Sequence, residues 1–222
     1  MKNSSLFDII SPIMIGPSSS HTAGAVRLGL LAKNIYGAVP EKITFKLYNS
    51  YAQTGIGHGT DKGLLAGILS IPVDDVRIKN IFDSEDAKSI EYKFEFLEDF
   101  NRHPNAVDFI FEAPQKFKIS GNSIGAGEIE ITCVNDFSTK LTGAYDTILL
   151  VYKDIPGMIS KVTSIIQSEN INIASLFCKR SIKGEEASMT IALDIKPSQN
   201  IIEQIKKIDD IYMVRNIVKL EN

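Results

Sequence analysis

Two cysteines, Cys133 and Cys178, are all the thiols in this 222-residue sequence. They stand far apart and neither is half of a CxxC pair. Two thiols cannot supply the four ligands that an iron–sulfur cluster or a structural zinc usually takes. If the protein works with such a cluster, another chain must hold it, and no metal site is assigned here. Both cysteines lie in apolar, strand-like runs (EIEITCVN and ASLFCKR) and read as small buried hydrophobes. A surplus of positive charge is also missing: 24 basic residues stand against 27 acidic ones, a net charge of −3. Nucleic acids and anionic membranes both call for a basic surface, so neither is expected as a partner. No apolar run reaches the roughly 18 residues of a membrane span. The start, MKNSSLFDIISPIM, has one lysine, an acidic residue and a proline where a signal peptide would be uniformly apolar. The cytoplasm is the expected compartment. The most acidic stretch, Phe82–Asp99, reads as a solvated face.

The length suits one large domain or two small ones, and the pattern changes along the chain. In the final third, AYDTILLVYKD (144–154) is β-rich. PGMISKVTSIIQSEN (156–170) then reads as a helix with Pro156 in its first turn and Met158, Ile159, Val162, Ile165 and Ile166 at helical spacing. INIASLFCKRSI and EEASMTIALDI read as strands joined by a turn at Lys183-Gly184. SQNIIEQIKKID opens with a serine cap, and Ile201, Ile202 and Ile205 share one face. IYMVRNIVKL closes as a strand. The order βαββαβ is that of a ferredoxin-like split βαβ unit.

Up to about Val134 the pattern is a mixed α/β one, so the fold class is mixed α/β with α+β character. A short helix is expected at Ser5–Ile10, where Ser5 and Asp8 partly resemble a capping box. Thr22–Tyr36 reads as a helix stopped by Gly37. KITFKLYN (42–49) reads as a strand, and TDKGLLAGILS (60–70) as a helix capped by Thr60. SIEYKFEFL, AVDFIFEA, KFKISG and GEIEITCVN are later strands. DFSTKLTG (136–143) is a polar break, which gives domains at 1–138 and 145–222.

All three histidines fall in the first part, each beside loop-forming residues: SSSHT (His21), GIGHGTD (His58) and NRHPN (His103). Core histidines normally sit among aliphatics; these sit among Gly, Ser, Asn and Pro, where side chains reach solvent or a ligand. GPSSSHT ends where a helix begins. Orphan N–H groups, the helix dipole and several hydroxyls make an anion seat there, suited to a carboxylate or phosphate. Ordinary N-capping needs one of those serines, not three. TGIGHGTDKG carries four glycines in ten residues but matches neither the Walker pattern nor GxGxxG. SGNSIGAGEI (120–129) reads as a strand-to-strand connection. No G-x-S-x-G elbow accompanies the Ser–His neighbours, which argues against a hydrolase. In the second part, Asp154 and the N–H groups after Pro156, Gly157 included, suit the amino and carboxylate groups of a small amino acid. Asn172 begins the following strand. A cap, a helix start and a turn explain the same residues without a ligand.

SLFDIISPIMIGPSSSHTAGAVRLG, GHGTD, HPN and SIGAG stand in an order that resembles the beta subunit of the two-subunit, iron–sulfur-dependent L-serine dehydratases. The tail resembles an ACT domain, with DIPGMISKV and NINIASL as its landmarks. The resemblance covers nearly the whole chain. It departs at Ala126, where many relatives have glycine.

The resemblance implies a first domain of the allosteric-substrate-binding type, also found in some phosphoglycerate dehydrogenases. It implies dehydration of L-serine to aminoacrylate, which goes on to pyruvate and ammonia. The cofactor is then a 4Fe-4S cluster held by a partner alpha subunit, whose open iron acts as Lewis acid on the substrate hydroxyl, with no pyridoxal phosphate. On this reading His21 and His58 are catalytic, and which of them is the base stays open. Ser18, Ser19, Ser20 and Thr22 bind the substrate carboxylate, with His103 also in the binding set. Asp154, Gly157 and Asn172 are the ligand residues of the ACT domain, through which copies of the chain can associate. Three other readings compete: a purely regulatory serine-binding module, a phosphoglycerate-dehydrogenase-type regulatory fragment, and an ACT-type interaction protein without a ligand.

Overall fold

The structure is a computed structural model that describes residues 14–181 and 183–221. The helix expected at Ser5–Ile10 lies outside the described residues. The chain divides into two compact units, one ending at Asn135 and the other spanning Asp136–Glu221. Among the described residues no helix is long and apolar enough to cross a membrane.

In the first unit, a π-turn at Ser19–Ala23 runs directly into α1 (Gly24–Tyr36), which Gly37 ends in a left-handed conformation. β1 (Lys42–Tyr48) leads to α2 (Ser50–Thr54) and α3 (Thr60–Ile68). A 3-10 segment at Val76–Asp83 and the short α4 (Glu85–Lys88) precede β2 (Glu91–Leu97), β3 (Ala106–Ala113), β4 (Phe117–Gly125) and β5 (Glu128–Val134). The strands lie in the order β2-β1-β3-β4-β5, with β1 and β2 parallel and the others antiparallel. β1 and β3 are central and covered on both faces, so Ile43, Thr44 and Phe45 are all buried and the usual alternation is lost.

Helices α1 and α3 pack against each other through glycine. A Cβ at Gly29 would collide with the Leu64 carbonyl, one at Gly63 would stand 2.8 Å from Thr22 O, and one at Gly67 would collide with Val26 O. The backbones touch where other helix pairs interpose side chains, and this sets the two helix beginnings side by side.

Deep in β3, the Asp108 carboxylate is 2% exposed and holds Arg102 at 2.6 and 2.9 Å, with the Tyr48 hydroxyl at 3.1 Å. Burial pushes this carboxyl up. Hydrogen bonds from Arg102 and Ser120, with the charges of Arg102 and Lys118, outweigh burial and hold it below its ordinary value.

The second unit opens with β6 (Phe137–Leu141) and continues as β7 (Asp146–Lys153), α5 (Met158–Ser168), β8 (Ile173–Arg180), β9 (Glu186–Leu193), α6 (Gln199–Lys206) and β10 (Ile211–Ile217). The last six elements form a βαββαβ unit with antiparallel order β10-β7-β9-β8. Met158, Val162 and Ile166 of α5 and Ile201, Ile202 and Ile205 of α6 bury against Ile148, Leu150, Met189 and Ile191 of the sheet. Ser198 caps α6 by accepting from Ile201 N at 3.2 Å.

Four local expectations are corrected. Thr60 is not a cap: Gly59 holds that position at φ 71, and the Thr60 hydroxyl is buried without a hydrogen-bond partner among the described residues. Pro156 precedes α5 rather than opening it, because Gly157 is the N-cap at φ 87; Ile159 is 46% exposed, so the buried stripe is narrower than the apolar spacing suggests. The polar break 136–143 contains strand β6, whose Thr139 is buried and bonded hydroxyl to hydroxyl with Thr190 at 2.6 Å. The two cysteines are half-buried rather than core residues.

Gly67→Ala is expected to lower the stability of the full chain by about 1–3 kcal/mol or more, because backbone atoms cannot rotate away from the added methyl. Denaturant unfolding of the two proteins measures it.

Candidate active site at two helix beginnings

The site is built from two loops that the α1–α3 contact brings together. In the first, Ser18 is extended (φ −143) and its Oγ accepts from His21 N at 3.1 Å. Thr22 N and Ala23 N both donate to Ser18 O, and Gly24 N to Ser19 O, which gives the turn its wide π pitch. Of the backbone donors expected to form an anion seat, those of His21, Thr22 and Ala23 are therefore satisfied within the turn. Gly16 must be glycine: its φ is 125 and a Cβ would meet Thr22 Cγ2 at 2.5 Å.

The second loop follows α2 and carries Gly55 to Gly59. The Thr22 hydroxyl, 1% exposed, donates to the His58 carbonyl at 2.7 Å and ties the loops together. Thr22 thus faces inward as a structural tie. Ser18 and Ser20 are half-buried with their hydroxyls 3.4 Å apart; Ser19 is half-buried beside them. The His21 and His58 rings have centroids 5.0 Å apart, with His58 exposed to solvent. Next to them a cavity of about 190 Å³ is lined by both loops, by Lys62 and by Ile78-Lys79.

His21 has neighbours on both ring nitrogens. Ser20 Oγ lies 3.3 Å from Nδ1, while Thr54 Oγ1 at 3.2 Å and Ser50 Oγ at 3.4 Å face Nε2. The buried Tyr51 ring meets it edge-on at 5.2 Å and gives its hydroxyl proton to Ser20 O at 2.9 Å. Burial pushes the Tyr51 phenol well above its ordinary value, so it remains a donor. Burial first, and the charge of His58 second, hold His21 below its ordinary 6.5; a hydrogen bond to the Ser50 backbone pulls the other way. Ser50, Tyr51 and Thr54 were not singled out from sequence. The one available signal was their spacing: positions i, i+1 and i+4 of a short helix opening directly after a strand.

α2 begins from Asn49, whose φ of 52 and ψ of −117 belong to a region that disfavours side chains. Such a residue costs about 1–3 kcal/mol and persists only where its surroundings hold it. Here the Asn49 amide accepts from Asp99 N and donates to the carbonyls of Asp99, Arg102 and His103. His103 is brought to the site's edge by that contact, but its ring accepts from Asn105 N at 3.1 Å rather than meeting either of the other histidines.

In the second unit, Asp154 accepts from Gly184 N at 3.1 Å and Arg180 at 3.4 Å. Gly157 caps the start of α5, while Asn172 lies past its far end and donates to Asp194 at 2.7 Å. One chain does not bring these three residues together. Among the described residues no group of three His, Cys, Asp or Glu side chains could hold a metal ion. Cys133 Sγ donates to Asn135 O, and burial pushes the Cys178 thiol up. The donor set of this chain does not fit an iron–sulfur cluster.

Residues 5–95 match the family described as serine dehydratase beta chain, and residues 147–210 match the ACT domain. The chain is 38% identical over 218 residues to a protein named probable L-serine dehydratase, beta chain, of Bacillus subtilis (strain 168), covering 98% of this chain and 99% of that one. It is also 38% identical to the L-serine dehydratase beta chain of Peptoniphilus asaccharolyticus, over 87% and 89% of the two chains. A D-3-phosphoglycerate dehydrogenase of Synechocystis is 26% identical over 86% of this chain, which spans 35% of that protein. These similarities place the two-unit chain in the class of dehydratase beta chains that carry an ACT domain. The chain belongs to the L-serine dehydratase beta-chain family.

His58→Gln is expected to raise the pKa of His21 toward 6.5 without reaching it, because repulsion from a second imidazolium is removed while burial stays. In the unchanged protein, unfolded His21 binds protons more readily than folded His21 between its lowered value and 6.5. Its contribution to stability therefore rises with pH across that window and is fully present above it. NMR titration of the histidine ring signals in both proteins measures the shift.

Proposed function

We propose that this chain is the beta subunit that completes the active site of an L-serine dehydratase whose 4Fe-4S cluster is carried by a separate alpha subunit in the cytoplasm. The first domain, 1–138, supplies polar loops to the shared site, and the ACT domain, 145–222, senses an amino acid. The observation that carries this reading is the meeting of the SSSHT and GIGHG loops, with two imidazoles 5.0 Å apart on a polar rim. Whole-length similarity to named beta chains agrees with it.

The work of this chain's own residues follows from their placement. Ser18 and Ser19 offer hydroxyl protons to the substrate carboxylate, while the Ser20 hydroxyl lies against His21 Nδ1, with His103 at the rim. The lowered pKa keeps His21 neutral near pH 7, so it can accept a proton, and the exposed ring of His58 can do the same. Loss of the α-proton and of the β-hydroxyl of L-serine as water leaves aminoacrylate. Its tautomer hydrolyses to pyruvate and ammonia. The group that draws off the hydroxyl belongs to the partner, since the residues here do not supply it. In the ACT unit, Asp154, Gly157 and Asn172 are separated on one chain, so a ligand touching all three requires a second copy; the exposed edge strand β8 is where one can add.

The Synechocystis similarity favours one second reading, a regulatory module that binds serine or a phosphate and leaves catalysis to others. Variants separate the two. His21→Ala and His58→Ala, co-expressed without air with the adjacent alpha subunit, are expected to assemble normally and lose at least about a hundredfold in turnover at saturating serine. Unchanged turnover with altered sigmoidicity would establish the regulatory reading instead.

A further inference from the structure

Hydrogen bonds to groups that can only accept reveal where protons sit. The Thr54 hydroxyl lies 2.9 Å from the Ser50 carbonyl, which has no proton to give, so the hydroxyl donates there. Its single proton is thereby committed. Toward His21 Nε2, at 3.2 Å, the same oxygen can only accept, which requires a proton on Nε2. The Ser50 hydroxyl, 3.4 Å from Nε2, is a second oxygen on that side. Nδ1 of His21 is left with its lone pair, facing the Ser20 hydroxyl at 3.3 Å.

His58 is fixed in the opposite sense by the same residue. Its Nδ1 lies 2.9 Å from the Thr54 carbonyl, so Nδ1 carries the proton and Nε2 the lone pair. The ring is exposed, and that lone pair is the one open to a bound molecule.

We propose that Thr54 is the positioning residue for both histidines, its hydroxyl fixing His21 as the Nε2–H form and its carbonyl fixing His58 as the Nδ1–H form. The two proton-accepting nitrogens are then Nδ1 of His21, lodged against Ser20, and Nε2 of His58, on a ring exposed to solvent. His58 receives the substrate proton directly. His21 exchanges protons through the half-buried Ser20 hydroxyl, 3.3 Å from its Nδ1. This division of labour rests on the dehydratase reading; the assignment of protons does not.

The test uses two readouts. Long-range 1H–15N spectra of the full chain, at about pH 8.5, well above the ordinary imidazole range, report which nitrogen of each ring is protonated. His58 as mainly Nδ1–H, the less favoured form of a free histidine side chain, supports the assignment; His58 as mainly Nε2–H overturns it. The second readout is turnover with the alpha subunit. Thr54→Val keeps the branched shape and the carbonyl but removes the hydroxyl. It should leave the His58 signals in place, expose the His21 Nε2–H to fast exchange with water, and lower kcat about ten- to a hundredfold with KM little changed. Thr54→Ser should recover most of that loss. Equal kcat in Thr54→Val and the unchanged protein would overturn the positioning role. Protons placed as assigned, in a chain that supports no dehydration with its partner, would sink the dehydratase reading and leave the assignment standing.

Discussion

The site depends on how closely two helices approach. Because Gly29, Gly63 and Gly67 present no side chains, the backbones of α1 and α3 touch, and the loops that feed their first turns arrive at one place. Thr22, at the start of α1, then closes the remaining gap with its bond to the His58 carbonyl. The three serines and both of the paired imidazoles are carried by those two loops, and the hydroxyls facing His21 Nε2 by α2 between them. A larger residue at the crossing would separate the histidines without touching either one.

Much of this was legible in the sequence, for reasons specific to each part. The tail could be read because its helices bury narrow stripes, Met158-Val162-Ile166 and Ile201-Ile202-Ile205, and because Ser198 caps in the expected way. The settings of the three histidines among glycine, serine, asparagine and proline pointed to one site for all of them; His21 and His58 meet, and His103 does not. The roles of Thr22 and Thr60 were not visible: a threonine beside a helix start reads as a polar group for solvent or a cap, and only packing reveals that both hydroxyls point inward. β6 was hidden because its buried Thr139 pairs with another hydroxyl, so no apolar alternation marks it.

α2 shows a second kind of limit. Five residues are too few for a periodic signal, and Asn49 alone separates its first residue from β1. Yet this turn supplies Ser50, Tyr51 and Thr54, the groups that surround His21. Its position is set by long-range bonds from Asn49 to residues about fifty positions away, and no local pattern records those. The ACT residues illustrate the converse. Asp154, Gly157 and Asn172 stand out in sequence, but the fold sets them at opposite ends of one helix.

Asn49 also constrains how this region opens. Its amide does for the backbone what glycine would do by lacking a side chain, but only while the 99–103 loop is docked against it. If that loop lifts away, four hydrogen bonds vanish and the unfavourable dihedral angles at residue 49 have nothing to hold them. The loop and the α2 turn therefore form one cooperative unit of local unfolding, with amide protons on both exchanging together. Transient melting at the rim far from His21 reaches its ring nitrogens by this route.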